Sequence, residues 1–581
     1  MTDIRRTVLW VVFTMSLVLL WDGWQKHNGH PSMFSPPAPK VVATVPAAAN
    51  GATGVPSASP SAAAAGQTGL PAVSAPLAAT SEKVHIKTDV LDVTLDTLGG
   101  DVTRVELPTY LTGPEPGLFD PILQAVGIKA KPTAPQTPIV LLDSVGQSYK
   151  AQTGLIGGQG EPLPTHNTLM TVAPGERVLK DGANELVVRM ESPEQGGVKY
   201  IKTFTFKRGE HVIAVKHEIV NVGNAAVTPQ VYVQLVRNNV AGPGGMAFAP
   251  TFTGPALYTD KAKFQKVEFK DIDKALANNS VVDVQKNAND GWVAMVQHYF
   301  ASAWLHNDSA PREFFVTKVK GAAPEQYAVG MVFTLPALAP GATALHSDQL
   351  FVGPQEEVKL AELAPGFELI KDYGIFAILA KPLFWLLEKL YGVLGNWGWA
   401  IIALVVLLKI AFYWLNASAY KSMAKMKAVG PKVQAMRERL KDKPAEMQQE
   451  MMRIYREEKV NPVGGCLPIL LQMPFFMGLY WVLLSSVEMR GAPWIGWIVD
   501  LSVKDPYFIL PLLMTASSLF QVWLNPKPPD PMQAKMMWFM PLAFSFMFFV
   551  FPAGLVLYWL TNNILSIAQQ WMINKQMGVQ E

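Results

Sequence analysis

The chain has 581 residues, half of them apolar, with 49 Lys and Arg against 46 Asp and Glu for a net charge of +3. That length allows more than one domain, and so small a charge does not suggest nucleic acid as a bulk partner; no DNA is expected. The single cysteine, Cys466, excludes an intrachain disulfide, and at the head of an apolar run it reads as a small buried residue rather than a reactive thiol.

In chain order, Arg5 and Arg6 precede an apolar run from Thr7 to Trp21. A cleaved signal peptide and an uncleaved anchor can both begin this way. The run passes into Trp21-Asp22-Gly23-Trp24-Gln25-Lys26 without a small-x-small cleavage site, and its tryptophans suit an interfacial belt. Residues 1–26 are therefore predicted to be a signal-anchor helix. Residues 27–82, rich in Ala, Pro, Ser and Gly, cannot bury a core and read as a flexible tether.

From Lys83 the pattern alternates with period two, first over Val84–Leu95 up to the turn Gly99-Gly100-Asp101. Similar strand signals recur at Val198–Lys207, His211–Val220, Trp292–Leu305 and Gln326–Leu335. Strands separated by turns, with few helical stretches, predict an antiparallel β-sandwich over 83–355.

After Pro354 the periodicity becomes helical. Residues 367–394 are predicted to be an interfacial amphipathic helix and its lead-in. Five apolar segments follow, at 397–415, 463–486, 507–524, 536–551 and 555–573, each near the roughly 20 residues that cross a bilayer. The intervening segment 416–461 has eleven Lys and Arg against six acids, so the positive-inside bias makes it cytoplasmic. Counting back places the sandwich outside, and six spans in all put both termini in the cytoplasm.

No Gly-rich phosphate loop, His-Glu-x-x-His or cysteine pair is present. The nine histidines are scattered, and His211 and His217, on predicted strands, read as satisfied or solvated imidazoles. The expectation is a protein that is not an enzyme and has no cofactor and no metal site.

Lys409 is the lone cation inside the 397–415 segment. A lysine at the centre of a membrane helix costs roughly 2.5–3.5 kcal/mol, so it faces protein or water, or else snorkels to the cytoplasmic surface. No intramembrane carboxylate accompanies it, which disfavours an ion relay. Gln472 is among the few polar residues of the other spans. Met473, Phe476, Met547 and Phe548 fit ordinary bundle packing, or an adaptable surface that accepts many apolar sequences. The 416–461 segment reads as a basic helical hairpin that turns near Pro444. Its charge serves topology alone or contacts ribosomal RNA or anionic lipid.

Several stretches resemble the YidC/Oxa/Alb membrane protein insertases. They are Ser422–Met426, Gln434–Leu440, Glu458-Lys459-Val460-Asn461-Pro462-Val463-Gly464-Gly465-Cys466-Leu467-Pro468, Gln472-Met473-Pro474, Asp530-Pro531-Met532-Gln533 and Phe551–Trp559. The strand Gly291-Trp292-Val293-Ala294-Met295 resembles the periplasmic domain of the Gram-negative YidC type.

The resemblance implies a polytopic α-helical membrane protein of the bacterial inner membrane. It would have six transmembrane helices, a five-helix insertase core around a hydrophilic groove, and a large periplasmic antiparallel β-supersandwich. In that frame Lys409 is the groove cation, where bacterial members commonly have arginine. A lysine keeps the charge but loses the guanidinium fork.

Val405, Met473, Met547 and Trp559 are implied to line the substrate's path, with Gln472, Phe476, Phe548 and Tyr558 assigned to the same groove. Lys425, Lys432, Arg437, Arg439, Arg453 and Arg456 of the hairpin are expected to contact the ribosome or substrate. The implied partners are nascent membrane proteins, the lipid bilayer, the ribosome and the Sec translocon. A rival reading, in which the sandwich binds or modifies carbohydrate and the helices only anchor it, finds no paired acid and base in the sequence.

Overall fold

A computed structural model describes residues 81–112, 137–157, 162–240, 252–319, 321–322, 324–440, 443–458, 467–524 and 531–576. The predicted signal anchor at 1–26, the tether up to residue 80 and Cys466 lie outside the described residues. Two compact units are present: the strands belong to one, and the other holds the residues from Asp372 onward.

The strand unit is a sandwich of two nine-stranded sheets in which neighbouring strands pair antiparallel. One sheet runs in the order Lys83–Lys87, Asp92–Asp96, Asp101–Thr112, Lys150–Gly157, Pro229–Asn238, Gln326–Thr334, Arg312–Lys318 and Asn287–Ala288, with Thr137–Asp143 paired to the third. The other runs Lys263–Lys266, Gly254–Thr259, Trp292–Val296, Phe300–Leu305, Thr343–Pro354, Val212–Asn221, Val198–Lys207, Glu185–Glu191 and Thr171–Val172. Alternation is clean in Val212–Asn221, where buried and less buried positions follow one another, as a half-covered strand requires. Pro229–Asn238 and Trp292–Val296 are buried at every position; the second reads as a continuous apolar run, whereas the first also buries Gln230, Gln234, Arg237 and Asn238.

The first two helices among the described residues, α1 (Phe269–Ala277) and α2 (Glu357–Leu363), belong to this unit. Its core centres on Trp292, which stacks on Tyr258 at 5.8 Å and meets the ring of Phe367 edge-on at 5.0 Å. Trp292 Nε1 donates to Pro365 O at 3.1 Å, so the indole is buried with its polar atom satisfied.

That packing corrects the expected start of the amphipathic helix. Phe367–Ile370 forms a 3-10 turn inside the sandwich core, and the long helix α3 begins only at Ala377 and ends at Leu394. Phe367 and Ile370 are apolar because they fill the sandwich, not because they line a helix face.

In the second unit, α3 is stopped by Gly395, in the left-handed conformation at φ 65°. The next residue, Asn396, caps α4 (Trp397–Ala411) by accepting from Trp399 N at 3.1 Å. The predicted span 397–415 is broken at Phe412, after which α5 (Tyr413–Arg439) begins. Helix α6 (Pro444–Glu457) folds back on α5, and Val429, Val433 and Met436 bury their side chains against Met447, Met451, Ile454 and Tyr455.

The remaining helices are α7 (Leu467–Ser485), α8 (Ile509–Leu524), α9 (Pro531–Phe548) and α10 (Ala553–Gln576). Buried Asp505 starts α8 by accepting from Leu510 N at 2.7 Å. Helix α9 begins five residues ahead of the predicted 536, at a proline whose missing N–H costs nothing in a first turn. Helix α10 packs against α4, α5, α7 and α8. Among the described residues no helix is both long and apolar enough to cross a membrane; α4, for example, has 15 residues.

Candidate functional site

In the helical unit, half-buried Lys409 near the end of α4 reaches α10, where its Nζ donates to Ser566 Oγ at 2.7 Å. Ser566 donates in turn to Asn562 O at 2.7 Å. The same face of α10 carries Asn563, whose Nδ2 donates to Ser517 Oγ of α8 at 2.8 Å, and Gln569, whose Nε2 donates to Tyr413 O at 3.3 Å. The lysine therefore stands on a polar row of α10, and its nearest hydrogen-bonding partner is a neutral hydroxyl. A cation held this way keeps its attraction for an incoming carboxylate, which an internal Asp or Glu would have quenched.

One turn of α4 before Lys409, Val405 is 1 % exposed, packed inside the unit. Met473 on α7 is 46 % exposed. Beyond it along α7, Phe476 stacks on Trp559 at 5.5 Å with an interplanar angle of 10° and lies 5.8 Å from Tyr558. Phe548 of α9 meets Trp559 edge-on at 5.1 Å, and Met547 beside it is half-buried. The structure thus gathers Phe476, Phe548, Tyr558 and Trp559 into one aromatic cluster between α7, α9 and α10. Gln472 lies on α7, and its side chain is outside the described residues.

On the hairpin, Lys432 pairs with Glu458, while Arg439 and Arg453 approach Glu450 at 3.6 and 2.9 Å. Lys425 and Arg456 are exposed and Arg437 is half-buried. Much of the basic face is thereby tied into the α5–α6 pair.

A second cluster, in the sandwich, was hidden by sequence separation. Strand register sets His217 directly opposite His346, and His306 follows the Phe300–Leu305 strand to face Asp348. His306 Nδ1 is 3.0 Å from Asp348 Oδ1, and His346 Nε2 is 2.9 Å from Oδ2. Burial by itself would raise the Asp348 carboxyl; the His217, His306 and His346 rings around it hold it well below the usual range. Burial pushes the His217 imidazole down to about 4. The hint available in sequence was His346-Ser347-Asp348, two polar residues at period two on a strand interior, but nothing local named their partners.

Comparison with known proteins places both units. Residues 389–580 match the family model "60Kd inner membrane protein", and residues 129–386 match "YidC periplasmic domain". A membrane protein insertase YidC of Burkholderia cenocepacia is 51 % identical over 578 residues, 99 % of each chain. The chain belongs to the YidC family. Within that family, the insertase of Cupriavidus necator is likewise 51 % identical, over 99 % of this chain and 98 % of its own.

Among solved structures, an active YidC insertase with its first transmembrane domain resolved aligns at TM-score 0.38 and 18 % identity, covering 84 % of this chain and 92 % of its own. A galactose mutarotase related enzyme from Lactobacillus acidophilus aligns at TM-score 0.29 and 9 % identity, covering 47 % of this chain and 97 % of its own. Similarity at those TM-scores says nothing about activity.

Proposed function

We propose that this protein is a membrane protein insertase and chaperone of the bacterial inner membrane, acting through a hydrophilic groove with Lys409 as its charge. The observation that carries the reading is family membership at 51 % identity over 99 % of the chain. The Lys409–Ser566 contact supports the electrostatic part, because it places an ammonium on a polar helix face with a neutral partner.

In this mechanism an incoming hydrophilic tail or short loop is drawn toward Lys409 by its acidic residues, and groove water lowers the desolvation penalty. The substrate's apolar segment then passes Met473 and the Phe476–Trp559 cluster into lipid, driven by its own burial. Six spans, cytoplasmic termini and a periplasmic sandwich complete the proposal. The break at Phe412 fits it, because a kinked helix carries its polar residues where the hydrophobic path is short. The ribosome is assigned to the exposed hairpin residues Lys425 and Arg456, and the Sec translocon remains a partner suggested by the resemblance.

The test is insertion of a single-span substrate with an acidic N-terminal tail into proteoliposomes, comparing the full chain with a deletion of residues 84–350. Retained insertion supports a helical engine and removes the carbohydrate rival. Complete loss, with the helical unit still folded by circular dichroism, overturns the assignment of the work to the groove.

A further inference from the structure

Four titratable side chains meet inside the sandwich, at a place the insertion mechanism does not use. His217, His306, His346 and Asp348 are all buried, and come from two paired strands and the end of a third. The candidate ligand atoms of His306, His346 and Asp348 all lie within 4.8 Å of one another. The rings of His306 and His346 stack at 4.8 Å and 12°, both against Phe333 at 4.6 and 4.5 Å.

Hydrogen bonding explains only part of this arrangement. The His306 Nδ1–Asp348 Oδ1 contact is a good hydrogen bond. By contrast, His346 Nε2 and Asp348 Oδ2 approach to 2.9 Å, yet neither atom has a hydrogen bond of acceptable geometry. His217 Nε2, 3.4 Å from the same oxygen, is likewise buried without one. Three buried polar atoms converge without satisfying one another, which is costly unless something else lies between them.

The spacing suits a metal. Two ligands about 2.0–2.1 Å from a tetrahedral zinc stand about 3.3 Å apart, and the unbonded His346 Nε2 and Asp348 Oδ2, at 2.9 Å, need part by only a few tenths of an ångström to reach that spacing. Two imidazoles and one carboxylate are a donor set for a late first-row divalent cation rather than for calcium or magnesium.

We propose that His306, His346 and Asp348 form a three-ligand site for Zn²⁺, with His217 positioning the carboxylate. His217 stands beside that carboxylate: its Nδ1 lies 2.7 Å from Tyr200 Oη, and its Nε2 is 3.4 Å from Asp348 Oδ2. The backbone of His306 is pinned by Arg312, whose Nη1 donates to His306 O at 3.0 Å and Gly291 O at 2.8 Å.

The experiment takes the full chain in detergent, strips it with a chelator, dialyses it against Zn²⁺ and counts bound metal. One zinc per chain is expected, and Co²⁺ in its place gives the intense visible bands of four-coordinate cobalt. H306Q and H346Q each weaken binding at least about 100-fold, whereas H217Q, acting through the carboxylate, weakens it about 10–100-fold. H85Q, at an exposed strand residue, leaves it unchanged. Near-ultraviolet circular dichroism checks that each variant keeps its fold. A misfolded variant is replaced by wild-type melting, in which zinc raises the Tm if the site exists. Substoichiometric uptake by the wild type, uptake by H306Q and H346Q equal to that of the wild type, or a Tm indifferent to zinc overturns the proposal.

Discussion

Lys409 Nζ donates to Ser566 Oγ at 2.7 Å, joining the end of α4 to the polar row of α10. The pairing of a charge with a hydroxyl rather than a carboxylate leaves the charge unneutralised. Replacing it should therefore matter through charge. In insertion of an acidic-tail substrate, K409A and K409E are expected to lower the rate about tenfold or more, the worth of one charge-assisted contact of roughly 1.5 kcal/mol. K409R should stay near wild type, and S566A should cost less than K409A. Equal insertion by all of these variants would discard the electrostatic mechanism.

Exposure distinguishes two residues assigned to the same path. Met473 is 46 % exposed and Val405 is buried. A cysteine-reactive crosslinker on a stalled substrate span should therefore capture M473C efficiently and V405C poorly. The reverse yield would show that the helices open between α4 and α7 during insertion.

Gly291 has φ +99°, and a Cβ placed there would lie 1.9 Å from Tyr258 O. Both the backbone conformation and the space demand glycine, so G291A should destabilise the sandwich by about 3 kcal/mol or more. Thermal unfolding of the full chain in detergent checks this; an unchanged Tm would mean that the Tyr258 strand yields easily.

His166 gives the sandwich a pH dependence. Burial, then the Lys150 and Lys202 charges, push its imidazole from 6.5 down to about 3, so it stays neutral when folded across most of the acid range. The unfolded chain binds the extra proton below pH 6.5. Stability is thus fully present above that pH and falls as pH drops toward 3, by roughly 3 kcal/mol at pH 4 from this residue. Urea unfolding of the full chain at pH 7 and pH 4 should show a smaller difference in H166Q than in wild type.

The legible part of this protein was whatever repeats locally. Period-two alternation in His211–Val220 marked a strand because a half-buried sheet forces it, and the Met-rich Pro444–Lys459 stretch marked a helix by its apolar spacing. Phe367 and Ile370 misled for the same reason: apolar residues at helical spacing look alike whether they line a helix or plug a sandwich.

The family, the sandwich followed by apolar helices, and the lone charge at Lys409 can all be read along the chain, because those are properties of contiguous residues. Folding alone brings Lys409 to Ser566 across 157 positions, stacks Phe476 on Trp559, and gathers His217, His306 and His346 around Asp348. Strand register and helix packing set those meetings, and both are fixed by burial summed over whole elements rather than by any neighbour in the chain.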